Sequence, residues 1–276
     1  MSEEVKKPEG GFVLPTKVIK AAFTSPKNMI IFSKPKVGKT TLLSQLENCL
    51  IIDLEGGSDY VDALKVKANS VADITRIGKA IHEAGRPYKY VALDTITALE
   101  EMCVPFAEEL YSKSSMGAKW FTEGKKKYGS ILNLANGAGY PWLRQAFEKV
   151  VEYVKTFADH VILVGHIKDT LLEKNGVEFN ALELDLTGKL KRISTSKSDA
   201  IGYLYRKGDK CIMSFKTSDE VGCGARPEHL RNQEIVVSEV GEDGKIKVDW
   251  TKIFVDWSLK YIYKKLTFKK QNYEYF

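Results

Sequence analysis

Apolar residues fall in short blocks whose spacing switches between two periods. Met29–Phe32, Leu50–Leu54, Tyr90–Leu93 and Val161–Val164 are nearly unbroken apolar runs, the pattern of strands buried on both faces. Thr40–Leu46, Val71–Ala84 and Leu143–Phe157 have helical spacing instead; Val71, Ile74, Ile77 and Ile81 share one face, and Gly85 ends that helix. A further helix is predicted from about Ala98, with Pro105 expected to kink or divide it. Residues 112–141, rich in Gly, Ser, Asn and Lys, read as a long loop or mobile insert. Beyond residue 165 the texture changes to hairpins. Thr170–Lys174 and Val177–Leu182 flank Asn175-Gly176. Tyr203–Arg206 and Cys211–Lys216 flank Lys207–Lys210, and Ile235–Val240 and Lys245–Trp250 flank Gly241–Gly244. Strand–helix alternation followed by hairpins predicts an α/β fold. Its mostly parallel central sheet is flanked by helices, with antiparallel strands added at one edge. The expected layout is an N-terminal arm at 1–27, a core at 28–256 and a C-terminal tail at 257–276.

Composition narrows the class. The 276 residues suit one α/β domain with extensions, or two small domains. With 43% hydrophobic and 28% charged residues, a mostly disordered chain is excluded. The apolar runs are too short to span a bilayer, so no membrane partner is expected. The first residues lack an apolar signal core, which points to the cytoplasm. Cys49, Cys103, Cys211 and Cys223 are scattered without a CxxC pair, so reduced thiols are expected rather than a disulfide frame or zinc site.

Candidate chemistry gathers where the apolar runs end. Ser33-Lys34-Pro35-Lys36-Val37-Gly38-Lys39-Thr40-Thr41 lies between a strand and a helix and matches the phosphate-binding loop G-x-x-x-x-G-K-[ST] except at its first position. Ser33 stands there, and a serine fits if its φ is negative. Backbone N–H groups of such a loop converge on an anion. Lys39 then bridges the β- and γ-phosphates of ATP, and the Thr40 hydroxyl ligates Mg²⁺. A chance Gly-Lys-Thr in a surface turn is the competing reading. Asp94 ends a buried strand, where a carboxylate holds the Mg²⁺ shell; the alternative is a helix cap. Glu55 ends another strand and faces the γ-phosphate as candidate general base, with Asp53 as competitor or Glu55 as a plain turn residue. His166 ends a fourth and can donate to the γ-phosphate, although a lone histidine is more often structural.

In this order the segments resemble the RecA-like branch of P-loop ATPases. The likeness runs through Phe32–Leu42, Ile51–Glu55, Val91–Leu99 and Val161–His166, over roughly residues 28–225. In format the chain is similar to phage short RecA-like recombinases and single-strand annealing ATPases. The resemblance implies ATP hydrolysis with Mg²⁺, with Lys39, Glu55 and His166 as catalytic candidates and Thr40 and Asp94 at the metal. His166 stands where that family commonly has glutamine. It also implies a homo-oligomer, filament or ring, in which Lys189 and Lys191 reach a neighbour's γ-phosphate; a solvated basic turn explains those two as well. Single-stranded DNA is the implied partner, and a single-strand-binding protein is a further candidate.

The net charge of +6 sharpens where DNA would sit. Residues 112–144, which follow the Asp94 helix, hold six cations against one carboxylate, interleaved with Trp120, Phe121, Tyr128, Tyr140 and Trp142. Cations for phosphates and rings for bases are the means of holding a single strand. Lys113, Lys119, Trp120, Lys125, Lys126 and Lys127 are the DNA-binding candidates; the alternative is a solvated loop whose rings fold back as a lid or core. The tail adds five lysines against one glutamate and seven aromatic residues, so the rest of the chain is slightly acidic. A helicase or packaging motor, or a nucleotide-gated assembly protein with little hydrolysis, are the rival functions.

Overall fold

A computed structural model of the chain describes residues 15–21, 23–174 and 176–255. The predicted tail and residues 1–14 of the predicted arm lie outside the described residues. Six strands form a parallel core: β1 (Asn28–Ser33), β2 (Cys49–Asp53), β3 (Leu64–Lys67), β4 (Tyr90–Asp94), the first part of β5 (His160–Lys174), and β7 (Ala200–Lys207). The three predicted hairpins are present. β6 (Val177–Leu184) folds back on the outer part of β5, β8 (Lys210–Ser214) on β7, and β11 (Ile246–Val248) on β10 (Glu234–Val240). A short β9 (Gly224–Ala225) also pairs with β7. The sheet order is β11-β10-β8-β7-β1-β5-β4-β2-β3, so the antiparallel strands extend the β7 edge, as expected.

Strand alternation divides the core between two faces. Ile30 and Phe32 of β1, Val91 and Leu93 of β4, and Val161 and Leu163 of β5 point to one side. There they meet α2 (Val71–Glu83), α3 (Ile96–Ser112) and α5 (Tyr140–Val154). Met29, Ile31, Ala92, Ile162 and Val164 point to the other side, against Leu42 and Leu43 of α1 (Lys39–Ser44) and against Trp250 and Phe254. The Trp250 indole N–H donates to the Leu42 carbonyl at 2.9 Å and fixes α1 to this face. Strands β1, β2 and β4 stop at one edge, with Asp53 beside Asp94, Asp94 beside Val164 and Ser33 beside His166; β5 runs past that edge to pair with β6, so His166 lies within its strand rather than at the end where the sequence placed it.

Three features depart from the sequence expectations. β3 was not foreseen; its Leu-Lys-Val-Lys pattern belongs to an edge strand with little burial. α3 runs through Pro105 without division, because Leu99, Cys103 and Ala107 bury one face along its whole length. Residues 112–141 are neither one long loop nor an open insert. They fold into successive helical turns at Trp120–Gly124, α4 (Lys125–Tyr128), Ile131–Asn133 and Ala135–Gly137. Gly124 and Gly129-Ser130 mark the first breaks and Leu134 the last, and Trp120 and Ile131 are buried with α3 and α5 and hold the segment down. A last helix, α6 (Lys189–Ser196), follows the β5–β6 hairpin.

Candidate functional site

The loop after β1 carries left-handed backbone at Lys36 (φ 63°) and Gly38 (φ 112°), and Ser33 is not among the positive-φ residues. A serine is therefore conformationally acceptable at the first loop position. It also adds a contact that glycine lacks. The buried Ser33 hydroxyl donates to the Lys34 carbonyl at 2.8 Å and accepts from the Lys39 ammonium at 3.1 Å. Lys39 is 8% exposed, and its ammonium also approaches the Lys34 carbonyl at 3.4 Å. Burial lowers the Lys39 pKa, against the raising pull of Asp94 and Glu55. Lys34, Pro35 and Lys36 are exposed, Val37 and Gly38 half-buried, and Thr40 and Thr41 lie in the first turn of α1.

Asp94 meets the loop from β4. Its carboxylate accepts from the Thr40 hydroxyl at 2.9 Å. Burial pushes the Asp94 carboxyl up, opposed by the Thr40 hydrogen bond and the Lys39 charge. The capping alternative for Asp94 fails, because Thr95 is the N-cap of α3 and accepts from the Ala98 N–H at 3.2 Å. The Asp94–Thr95 peptide is cis. Thr40 and Asp94 offer one hydroxyl and one carboxylate oxygen, a donor set that suits Mg²⁺, which takes few protein ligands and completes its shell with phosphate and water. Among the described residues no group of three metal-ligating side chains occurs, and this kind of site does not need one.

Glu55 and Asp53 differ in what surrounds them. Asp53 accepts from the backbone N–H groups of Glu55, Gly56 and Ser58 at 3.0, 2.7 and 2.9 Å, and from the Ser58 hydroxyl. Burial raises its pKa, yet these hydrogen bonds outweigh it and the net shift is downward. Its carboxylate is thus committed to the turn after β2. Glu55 is instead held by side chains that neighbouring strands bring to it. The Thr95 hydroxyl donates to it, and His166 Nε2 lies 3.1 Å from both of its oxygens. A carboxylate accepts, so Nε2 is the donor in that contact, while Nδ1 is buried with no hydrogen-bond partner among the described residues. The His166 N–H donates to the Thr97 hydroxyl at 3.2 Å, which in turn donates to the Asp185 carbonyl.

The other sequence candidates are dispersed. Lys191 forms an ion pair with Glu183 of β6 in its own chain, while Lys189 is exposed at the start of α6. Trp120, expected among the DNA contacts, is 2% exposed, with its ring against Tyr111 and Tyr128; it belongs to the core and is unavailable to a base. Lys125 is tied to the buried Glu108 at 2.6 Å. Lys113, Lys119, Lys126 and Lys127 are exposed, Lys119 near Glu123 at 3.3 Å and Lys127 over the Tyr128 ring. The four cysteines are free and buried, and burial pushes the Cys49 and Cys103 thiols up to about 12. One residue escaped the sequence reading: Arg206 of β7, whose Nε donates to the Val37 carbonyl at 3.0 Å. Nothing local marks it, because 169 residues separate it from the loop.

A lysine, a hydroxyl and a carboxylate gathered around a glycine-bearing loop between strand and helix define a P-loop nucleotide-binding protein. The model of the family AAA_24, an AAA domain, matches residues 25–226, and the chain belongs to this family of P-loop ATPases. Among solved structures it is similar to a KaiC-like protein from the hyperthermophilic archaeon Pyrococcus horikoshii OT3. The match has 12% identity and a TM-score of 0.41, covering 81% of this chain and 89% of that one. No curated protein matches the sequence.

Proposed function

We propose that the chain is a Mg²⁺-dependent, RecA-like ATPase whose turnover is coupled to single-stranded DNA. The observation that carries the ATPase half is the convergence of Lys39, Thr40, Asp94 and Glu55 at one sheet edge, with Asp53 excluded as base by its own turn. Lys39 neutralises charge on the β- and γ-phosphates. Thr40 and Asp94 would hold Mg²⁺, which would supply the positive charge that offsets the remaining phosphate charge. Glu55 accepts a proton from water as the water oxygen attacks the γ-phosphorus and the bond to the β-phosphate oxygen breaks, giving ADP and phosphate. His166 orients Glu55 through Nε2, and the same N–H can turn to the γ-phosphate.

DNA is supported by the exposed Lys113, Lys119, Lys126 and Lys127 on one segment. The rings of Trp120 and its neighbours brace that segment from beneath. On this reading the protein acts as a homo-oligomer in phage-type recombination, annealing or replication, with Lys189 facing a neighbouring protomer and a single-strand-binding protein as a further partner. The second reading is nucleotide-gated assembly with little hydrolysis; it is favoured by the His166–Glu55 contact, which engages the base.

The test is the ATPase rate with and without single-stranded DNA, duplex DNA and RNA. Stimulation by single-stranded DNA is expected. Turnover indifferent to every nucleic acid removes the DNA half. Tight nucleotide binding without turnover selects the assembly reading.

A further inference from the structure

Among the described residues, Arg206 is the one cation found at the P-loop that neither motif nor resemblance assigns. It lies near the end of β7, the strand paired parallel to β1, at the height where β1 gives way to the loop. Its guanidinium Nε donates to the Val37 carbonyl at 3.0 Å. Its Nη2 lies 3.5 Å from where a side chain on Gly38 would begin. No ion pair engages Arg206 among the described residues, so a carboxylate does not dictate its position.

Val37 sits between the two left-handed residues of the loop, Lys36 and Gly38. A non-glycine residue in that region costs about 1 kcal/mol or more and persists when surrounding contacts fix it. The Lys36 side chain is exposed. The Arg206 contact falls on the peptide carbonyl between the two turns, where one hydrogen bond restrains both. A charged donor makes the stronger kind of hydrogen bond.

We propose that Arg206 is a positioning residue for nucleotide binding: through Val37 it holds the P-loop in the shape that receives a nucleoside di- or triphosphate. This rests on the reading of the loop as a nucleotide site. It makes a prediction that a γ-phosphate-sensing arginine does not share. The loop peptides around Val37 and Gly38 frame the β-phosphate, which ADP and ATP both carry, so removing Arg206 weakens both nucleotides by a similar factor.

The experiment is titration of the full-length protein with fluorescent ADP and with a slowly hydrolysed ATP analogue, for wild type, Arg206→Ala, Arg206→Lys and Lys39→Ala, beside thermal melts without nucleotide and steady-state ATPase kinetics. Arg206→Ala is expected to lose about tenfold in affinity for both nucleotides, the factor that about 1.4 kcal/mol produces. KM for ATP rises correspondingly, while kcat at saturation stays within about twofold. Arg206→Lys, which keeps a cationic donor, recovers part of the loss, and the melting temperature without nucleotide is unchanged. Wild-type affinity in Arg206→Ala overturns the proposal, as does a loss confined to the triphosphate. A melting temperature that falls equally in the Ala and Lys variants, with no partial rescue of affinity, assigns Arg206 a purely structural role and also overturns it. If wild type binds neither nucleotide, or Lys39→Ala binds as well as wild type, the site reading itself fails, an outcome separate from those of Arg206.

Discussion

Two carboxylates at the end of one strand show how residue identity and role part company. Asp53 and Glu55 are two positions apart, yet Asp53 faces three N–H groups and a hydroxyl of its own turn, while Glu55 faces Thr95 and His166. Glu55→Gln keeps the shape and the Thr95 contact but cannot take a proton. Hydrolysis should fall by about a hundredfold or more, with ATP affinity retained; single-turnover assays beside binding isotherms check this. Asp53→Asn puts an amide where donors converge, and should cost about 2 kcal/mol of stability while sparing turnover per folded molecule. Denaturant melts read against specific activity separate the two. Much of this site was legible in sequence, because strand ends and a loop motif leave local marks. Capping of α3 by Thr95 rather than Asp94 was not, since both residue types cap helices and only the Thr40 contact shows Asp94 otherwise engaged. Arg206 was not legible either, because parallel pairing brings β7 to β1 without a local signal.

At the scale of elements, the segment from 112 to 144 differs most from its sequence pattern. Turn-forming residues read as loop, and no period links Trp120 to Ile131; their burial is decided by the surface that α3 and α5 provide. The ion pair beneath it matters for any test of DNA binding. Glu108 is buried, with 4% of its side chain exposed, and Lys125 neutralises it. Lys125→Ala leaves that carboxylate unpaired and should destabilise the fold by about 3 kcal/mol, near the low end for a broken buried pair because the lysine is half in water. Lys126 and Lys127 form no ion pair among the described residues, and Lys126→Ala and Lys127→Ala should each change stability by less than about 0.5 kcal/mol. The Lys126/Lys127 double variant is therefore the clean probe. Weaker single-strand affinity and a shallower salt dependence are expected, measured by anisotropy over a salt series. Trp120→Ala should cost about 4 kcal/mol through the cavity it leaves, visible as a lowered melting midpoint.

Across the whole molecule, the site is held at the expense of stability. Burial raises the Asp94 pKa, so the contribution of this group is present below the unfolded carboxylate range and lost as pH rises through the folded value. Burial lowers the Lys39 pKa, so its contribution is present above the unfolded lysine range and lost as pH falls through the folded value. Near neutrality both charged forms are the ones the fold disfavours. Asp94→Asn, which can still accept from Thr40, should raise the melting temperature of the protein without nucleotide by about 2–4 °C at roughly pH 8 and by less near pH 4, while abolishing Mg²⁺-dependent nucleotide binding. Calorimetry at the two pH values checks the sign. The pairing of β1 carries one more consequence. Its two neighbours are β5 and β7, which begin at His160 and Ala200. As a ribosome extends the chain, the phosphate loop emerges early and waits for partners made more than a hundred residues later. A chain halted after α5 holds Lys39, Glu55 and Asp94 but no strand on either side of β1. Nucleotide affinity thus arrives late in synthesis, as long-range closure of the sheet rather than local folding of the motif.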